Sequence, residues 1–187
     1  MIKLAPSILA ANPLCLGQAA RLVREARADE LHFDVMDGQF VPNLTFGPHI
    51  LAAMKREEPG LYYDVHLMLS NPTPMVDRFA EAGADIILLP APGTVPGVTT
   101  PFVREMVEQA HSLGRLAMTS IGTSQEGADV DTIRRIALEC KMAGADIHHL
   151  GDSGYTGIAA PENITAYSIA VRGLRHTYRR MSLSRNR

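Results

Sequence analysis

The sequence has 187 residues, of which 46% are hydrophobic and 20% are charged, so it can fill the core of one domain but not of two large ones. Its formal net charge is −2, which gives no basic face for nucleic acid, and we expect no nucleic-acid partner. No apolar run approaches the roughly 18 residues that cross a bilayer, and no signal-peptide pattern opens the chain. We therefore expect a cytoplasmic protein with no membrane partner.

Short apolar runs rich in β-forming residues alternate along the chain with longer stretches of helical periodicity. The predicted strands are residues 2–9, 30–36, 61–69, 85–89, 115–120 and 145–150. The predicted helices are residues 16–26, 47–56, 73–82, 101–112, 130–142 and 161–172. This alternation predicts an α/β protein with a parallel sheet, whose functional loops follow the carboxyl ends of the strands.

The helix ends carry their own signal. Two predicted helices run into the sequence Ala-Gly-Ala-Asp, at residues 82–85 and 143–146. Glycine is the preferred residue for the left-handed position that ends a helix, so Gly83 and Gly144 are predicted to be the C-terminal caps before the next strands. The two cysteines, Cys15 and Cys140, form neither a metal-binding pair nor a disulfide framework, and we expect reduced thiols.

The number of units limits the architecture. A closed (β/α)₈ barrel usually needs at least about 200 residues, and this chain offers about six βα units in one domain over residues 1–187. We therefore predict a TIM-barrel-like (β/α) fold that is incomplete. Two alternatives are open: further short strands, or a homo-oligomer in which another subunit covers the sheet edges, because an uncovered edge is an aggregation hazard.

Residues that could bind a metal share one face of a predicted strand. His32, Asp34 and Met36 are spaced by two and point the same way, as do His66 and Met68 on the next strand. Two imidazoles and a carboxylate on neighbouring strands suit a Zn²⁺, Mn²⁺ or Fe²⁺ site with an open position. Spacing alone leaves the alternative open that both histidines are hydrogen-bonded within a polar core.

Four segments occur together in the first half of the chain: residues 5–9 (APSIL), 32–38 (HFDVMDG), 40–48 (FVPNLTFGP) and 64–68 (DVHLM). Over about residues 2–85 the chain thereby resembles the ribulose-phosphate 3-epimerase family. The resemblance implies an isomerase of carbohydrate metabolism, in the pentose phosphate pathway, that interconverts D-ribulose 5-phosphate and D-xylulose 5-phosphate. It implies a small phosphorylated sugar as partner and one divalent metal ion, Zn, Fe, Mn or Co, as cofactor.

The same resemblance implies roles for individual residues. His32, Asp34 and His66 would be the metal ligands, and Asp34 would also be the general base that removes the C3 proton. A bound cation suits this chemistry because it stabilises the negative oxygen of the enediolate that forms. The residues that would contact the substrate are Ser7, His66, Met36 and Met68.

The resemblance ends near residue 85. The family's late Val-Asp-Gly-Gly segment, which supplies its second carboxylate and fourth ligand, is absent, and so is its phosphate loop. The remainder, residues 86–187, resembles the C-terminal part of an uncharacterised bacterial TIM-barrel family, through residues 87–97, 118–127 and 175–181. We interpret the chain as a chimera of an epimerase-like half, residues 1–85, and a divergent half, with a junction near residues 82–86.

The segment after the last predicted strand offers the best replacements. Asp152 could return the proton from the face opposite Asp34, or become the fourth ligand, and Ser153 and Gly154 could bind phosphate ahead of a helix. A cluster of this composition is also typical of a simple turn with a helix cap. Three functions are therefore weighed: an active epimerase, an inactive metal- or sugar-phosphate-binding relic that lacks the second acid, and a barrel fragment that depends on an oligomer.

Overall fold

The structure is a computed structural model that describes residues 3–122, 125–151 and 159–183. Its strands are β1 (Glu30–Met36), β2 (Tyr62–Met68), β3 (Ile86–Pro90), β4 (Leu116–Ile121) and β5 (Ile147–Leu150). Its helices are α1 (Leu16–Glu25), α2 (Pro48–Glu57), α3 (Thr73–Ala82), α4 (Thr100–Ser112), α5 (Val130–Ala143) and α6 (Pro161–Ser182). Short 3₁₀ turns cover Pro13–Cys15 and Gln125–Gly127.

The strands form one sheet in chain order, β1-β2-β3-β4-β5. The pairs β1–β2, β2–β3 and β4–β5 are parallel, and a helix lies between each strand and the next along the chain. Parallel neighbours joined by helices are the repeating unit of α/β barrels. The prediction of an incomplete TIM-barrel-like α/β fold is confirmed.

The predicted first strand, residues 2–9, is wrong as a regular strand. Ser7 makes only an isolated bridge with His32; the His32 N–H donates to the Pro6 carbonyl at 2.9 Å, and the Ile8 N–H donates to the His32 carbonyl at 3.1 Å. Pro6 has no N–H with which to extend a ladder, so the pairing stays local. The described residues therefore hold five strands rather than six, yet this segment still lies against β1.

Helix ends follow the glycines. Gly83 and Gly144 cap α3 and α5 with φ of 110° and 94°, as their sequence context predicts. The helix predicted to end at residue 172 instead continues to Ser182, but Gly173 interrupts it with φ 80° and ψ 163°. Glycine adopts this conformation at little cost because it has no Cβ. The prediction therefore located the break but missed the helical segment beyond it.

The described residues divide into two compact units, and the first holds residues 3–89 and 108–117. Its core is the apolar face of β1 and β2, packed on helices α2 and α3. Phe33 is fully buried in it, and its ring centroid lies 5.3 Å from that of Phe46 and 6.5 Å from that of Phe79. Fully buried aromatic and aliphatic side chains of this kind supply most of the free energy of folding.

The second unit holds the described residues within 90–107 and 118–183. Its buried core cluster comprises Ala91, Ile121, Ile133, Ile136, Ala137, Cys140 and Tyr167. Cys140 is a free, buried thiol, and Cys15 in the first unit is free and exposed.

A single domain with halves meeting near residue 85 stays a prediction. Among the described helices, none combines the length and the apolar character needed to cross a membrane.

The first unit's core yields a stability prediction. Leu51 of α2 is fully buried, whereas Leu22 of α1 is 60% exposed. Leu51→Ala should lower the free energy of unfolding by about 2–5 kcal/mol, because it removes buried methyl groups and leaves a cavity. Leu22→Ala, the matched control, should change it by no more than about 0.5 kcal/mol. Urea unfolding measures both, and equal effects would contradict the placement of α2.

Candidate functional site

The pairing of β1 with β2 builds a small grid of polar residues. In the observed register His32 lies opposite Asp64, Asp34 opposite His66, and Met36 opposite Met68. Side chains alternate along a strand, so all six share one face of the sheet. The intervening residues on the opposite face are the buried apolar set Leu31, Phe33, Val35, Tyr63, Val65 and Leu67.

Three members of this grid meet at one carboxylate oxygen. Asp34 Oδ1 lies 3.0 Å from His32 Nε2 and 3.3 Å from His66 Nδ1. One ligand-type atom from each residue falls within 4.8 Å of the other two. The side chains are 20% exposed for His32, 9% for Asp34 and 24% for His66, so the group is shielded but reachable. Two imidazoles and a carboxylate are a suitable donor set for a divalent transition metal.

Ser7 reaches the same carboxylate from the irregular N-terminal segment. Its hydroxyl donates to Asp34 Oδ2 at 2.7 Å and accepts from the Leu9 N–H at 3.1 Å. The bridge between Ser7 and His32 holds the hydroxyl in place. The structure thus brings together Ser7, His32, Asp34 and His66, which sequence reasoning had nominated from separate segments.

Asp64 was missed by that reasoning. Its Oδ2 lies 2.7 Å from His32 Nδ1, and the residue is only 3% exposed. The signal was present in the sequence, because Asp64 precedes His66 by two and must share its face. Its significance depends on β2 lying beside β1 in this register, which spacing within one strand does not reveal.

The cluster is strongly polarised. Burial by itself would lower the pKa of His32, but its hydrogen bonds to Asp34 and Asp64 raise that pKa to about 10. Burial would raise the pKa of Asp34, yet hydrogen bonds from His32, His66 and Ser7 hold it well below its usual range. Asp34 is therefore an ionised carboxylate at neutral pH, and a metal cation would have to replace the proton on His32 Nε2.

A second carboxylate ties together the loops that follow the two strands. Asp37 accepts from the Gln39 and Phe40 N–H groups at 2.9 Å, and from the Ser70 N–H at 2.8 Å and its hydroxyl at 2.7 Å. These bonds, led by the Ser70 N–H, hold the pKa of Asp37 well below its usual range. These hydrogen bonds thereby connect the loops that follow the carboxyl ends of β1 and β2.

Thr45 fixes the last residues of β1 from the FVPNLTFGP loop. Its hydroxyl donates to the Asp34 carbonyl at 2.7 Å and accepts from the Met36 N–H at 2.9 Å. The same loop borders a cavity of about 480 Å³, lined by Leu9, Ala11, Pro13, Leu16, Asn43, Leu44, Thr45, Phe46, Gly47, His49 and Ile50. None of the three ligand-type residues lines that cavity, so it is not part of the cluster.

Met36 and Met68 face each other one pair beyond the cluster, and both are half-buried. Their contact with substrate stays a prediction. Asp152, Ser153 and Gly154 lie outside the described residues, so their roles also stay predictions.

The two histidines of β5, His148 and His149, are consecutive in the strand, so their side chains point to opposite faces of the sheet. In the second unit His148 Nδ1 lies 3.0 Å from the Tyr167 hydroxyl of α6. His149 is exposed, with its Nδ1 2.9 Å from the Ser120 hydroxyl. His148 therefore packs against the helix layer as a hydrogen-bonded histidine.

The fold and the cluster together define an incomplete α/β barrel with a two-histidine, one-carboxylate metal-type centre on one face of the sheet. Residues 44–187 match the family model described as a domain of unknown function, DUF7916. The chain belongs to that family. The match begins inside the half whose motifs resemble the epimerase, so it marks no junction near residue 85, and the chimera stays a prediction.

Curated relatives carry the other resemblance. The chain is 49% identical over 88 residues to ribulose-phosphate 3-epimerase of Chlamydia muridarum, covering 47% of this chain and 38% of the relative. The Bacillus subtilis enzyme is 51% identical over 87 residues, 46% of this chain and 40% of the relative. The Synechocystis enzyme is 44% identical over 116 residues, which cover 62% of this chain and 48% of the relative. The predicted resemblance is confirmed, although the chain spans less than half the length of these relatives.

Solved structures support the fold alone. A deoxyribose phosphate aldolase from Aeropyrum pernix, described as tetrameric, superposes with a TM-score of 0.66 at 14% identity, over 91% of this chain and 72% of that one. A structure described as a putative deoxyribose-phosphate aldolase from Coccidioides immitis superposes with a TM-score of 0.68 at 13% identity, over 91% of this chain and 67% of that one. At these identities the similarity carries no information on substrate or assembly.

The Asp37 loop contacts yield a pH prediction. The pKa of Asp37 is lower in the folded chain than the unfolded value of about 3.9, so its ionised form stabilises the fold above that pH. This stabilisation is lost as the pH falls through the lower, folded value. Asp37→Asn should therefore lower Tm at about pH 7, and the difference from wild type should shrink towards about pH 3.

The control is Ser70→Ala, which removes only the hydroxyl donor of the four contacts to Asp37. Its effect on Tm should be smaller and should fade over the same pH range. A difference between wild type and Asp37→Asn that is the same at both pH values would show that the carboxylate contacts do not stabilise the folded chain.

Proposed function

We propose that this protein is a metal-dependent isomerase of the ribulose-phosphate 3-epimerase type, acting on a small phosphorylated ketose. D-ribulose 5-phosphate and D-xylulose 5-phosphate are the proposed pair. The observation that supports this most is the convergence of Ser7, His32, Asp34 and His66 on one shielded carboxylate. The names of the relatives that match about half of the chain support the same reaction class.

His32, through Nε2, Asp34 and His66 would hold one divalent ion. Imidazole and carboxylate donors suit Zn²⁺, Fe²⁺, Mn²⁺ and Co²⁺, and the donor atoms already lie together. When bound, such an ion supplies positive charge close to the oxygens that become negative during proton abstraction.

Asp34 is the proposed general base. Its carboxylate takes the proton from C3, the C–H electron pair forms the C2=C3 double bond, and the C2 carbonyl oxygen becomes negative. Ser7 and His66 lie next to the carboxylate and would orient the substrate oxygens. The half-buried Met36 and Met68 would form an uncharged wall that offers no competing base.

Inversion needs a second proton donor on the opposite face of C3. We assign this role to Asp152, and contacts with the phosphate to Ser153 and Gly154, all in the segment that follows β5. The enediolate then takes its proton from that side, the double bond returns to the C2 carbonyl, and C3 has the opposite configuration. This assignment rests on sequence position alone.

A one-base reaction is the second candidate. Within the residues that the structure describes, the His32, Asp34 and His66 group is the one assembly of three such side chains that could hold a metal, and Asp64 is committed to His32. A protein with only this half of the machinery would bind metal and sugar phosphate and exchange the C3 proton without inverting the carbon.

Turnover of D-ribulose 5-phosphate by protein loaded with Zn²⁺, Mn²⁺ or Fe²⁺ tests the proposal. Asp34→Asn should lower kcat by about 10²–10⁴-fold, because an amide cannot accept the C3 proton. The control is Asp77→Asn, whose carboxylate lies on α3 and accepts from Gln109 Nε2 at 2.8 Å. This variant should keep the wild-type rate.

The two candidates separate in D₂O. Inversion with deuterium at C3 supports the epimerase, whereas deuterium at C3 without inversion supports the one-base reaction. If the wild type shows no turnover and no exchange above the level of Asp34→Asn, both candidates are contradicted.

A further inference from the structure

Asp64 is the polar group that the proposed chemistry leaves without a task. It lies on β2, two residues before His66, and is only 3% exposed. One carboxylate oxygen, Oδ2, lies 2.7 Å from His32 Nδ1. The other, Oδ1, is buried and has no hydrogen-bond partner among the described residues.

Such an arrangement costs stability. A buried carboxylate loses its hydration, and an unpaired oxygen recovers none of that loss. An apolar residue would fit the strand without this penalty, as Val65 and Leu67 do on the other face. The single contact to His32 is therefore the feature of Asp64 that needs an explanation, and the explanation lies in what it does to the imidazole.

We propose that Asp64 is a positioning residue that keeps the proton of His32 on Nδ1 and thereby directs Nε2 towards the metal position. The His32 ring lies between two carboxylates. Asp64 Oδ2 accepts from Nδ1, and the opposite ring nitrogen, Nε2, lies 3.0 Å from Asp34 Oδ1. A carboxylate behind a metal-binding histidine fixes its tautomer and ring orientation and makes it a better ligand. This inference rests on the proposed metal centre.

The role depends on the carboxylate being an acceptor only. In Asp64→Asn the side chain keeps its size, but its amide N–H can donate to His32 Nδ1. The ring proton then moves to Nε2 and occupies the lone pair that the metal needs. The same change of tautomer disables a histidine whose supporting aspartate is replaced by asparagine in a catalytic triad.

The test compares zinc affinity, measured by competition with a chromogenic chelator, for wild type, Asp64→Asn and Asp85→Asn. Asp64→Asn should bind zinc about 10–100-fold more weakly. Asp85 is the matched control: this carboxylate of the same unit accepts from Lys55 Nζ at 2.8 Å and from the Tyr63 N–H at 2.9 Å, and neither partner side chain belongs to the cluster. Asp85→Asn should lower the Tm but keep the zinc affinity of wild type.

A second measurement needs no variant. Long-range ¹⁵N–¹H correlation spectra of the zinc-loaded wild type should show His32 with a protonated Nδ1 and a metal-bound Nε2. The opposite tautomer would overturn the inference even if Asp64→Asn fails to fold.

The outcomes also separate this inference from the metal centre on which it depends. Wild-type protein that binds no zinc would overturn the proposed centre and the role of Asp64 together. Wild type and Asp64→Asn that bind zinc equally, with the same His32 tautomer, would overturn only the role of Asp64.

Discussion

The in-register parallel pairing of β1 with β2 is the constraint on which the site depends. Seven consecutive residue pairs, from Glu30 opposite Tyr62 to Met36 opposite Met68, set two histidines and two aspartates side by side. The apolar residues between them fix this register, because a slip by one residue would turn that set towards the polar face and bury the charged one. Core packing and site geometry are thus two consequences of one alternation.

The polar face gains its order from hydrogen bonds rather than from packing. Asp34 is contacted by Ser7, His32 and His66, and His32 in turn contacts Asp64. The buried Asp34 carboxylate is placed against hydrogen-bonding groups on both of its oxygens, which is the condition under which burial of a charge is tolerated. Asp37 holds the following loops at the same edge of the sheet. A cation entering this cluster would find its ligands already oriented.

Local sequence signals predicted most of the helices and strands and three of the site residues. The features that the sequence did not predict depend on contacts between residues far apart in the chain. The bounds of β1 and α3 match the predicted residues 30–36 and 73–82, because apolar periodicity and a glycine cap are local signals. The first predicted strand failed because Pro6 interrupts the ladder. His32, Asp34 and His66 were recognisable as one set, whereas Asp64 acquires meaning only from a partner 32 residues away. The register between strands is a tertiary property that neither strand encodes alone.

The proposed function requires that His32, Asp34 and His66 form one metal centre. X-ray absorption at the zinc edge, recorded on protein loaded with one equivalent of Zn²⁺, tests it directly. The spectrum of the wild type should show a first shell of nitrogen and oxygen with the multiple-scattering pattern of two imidazoles, reduced to one imidazole in His66→Ala. A sulfur shell, or a spectrum that His66→Ala leaves unchanged, would contradict it.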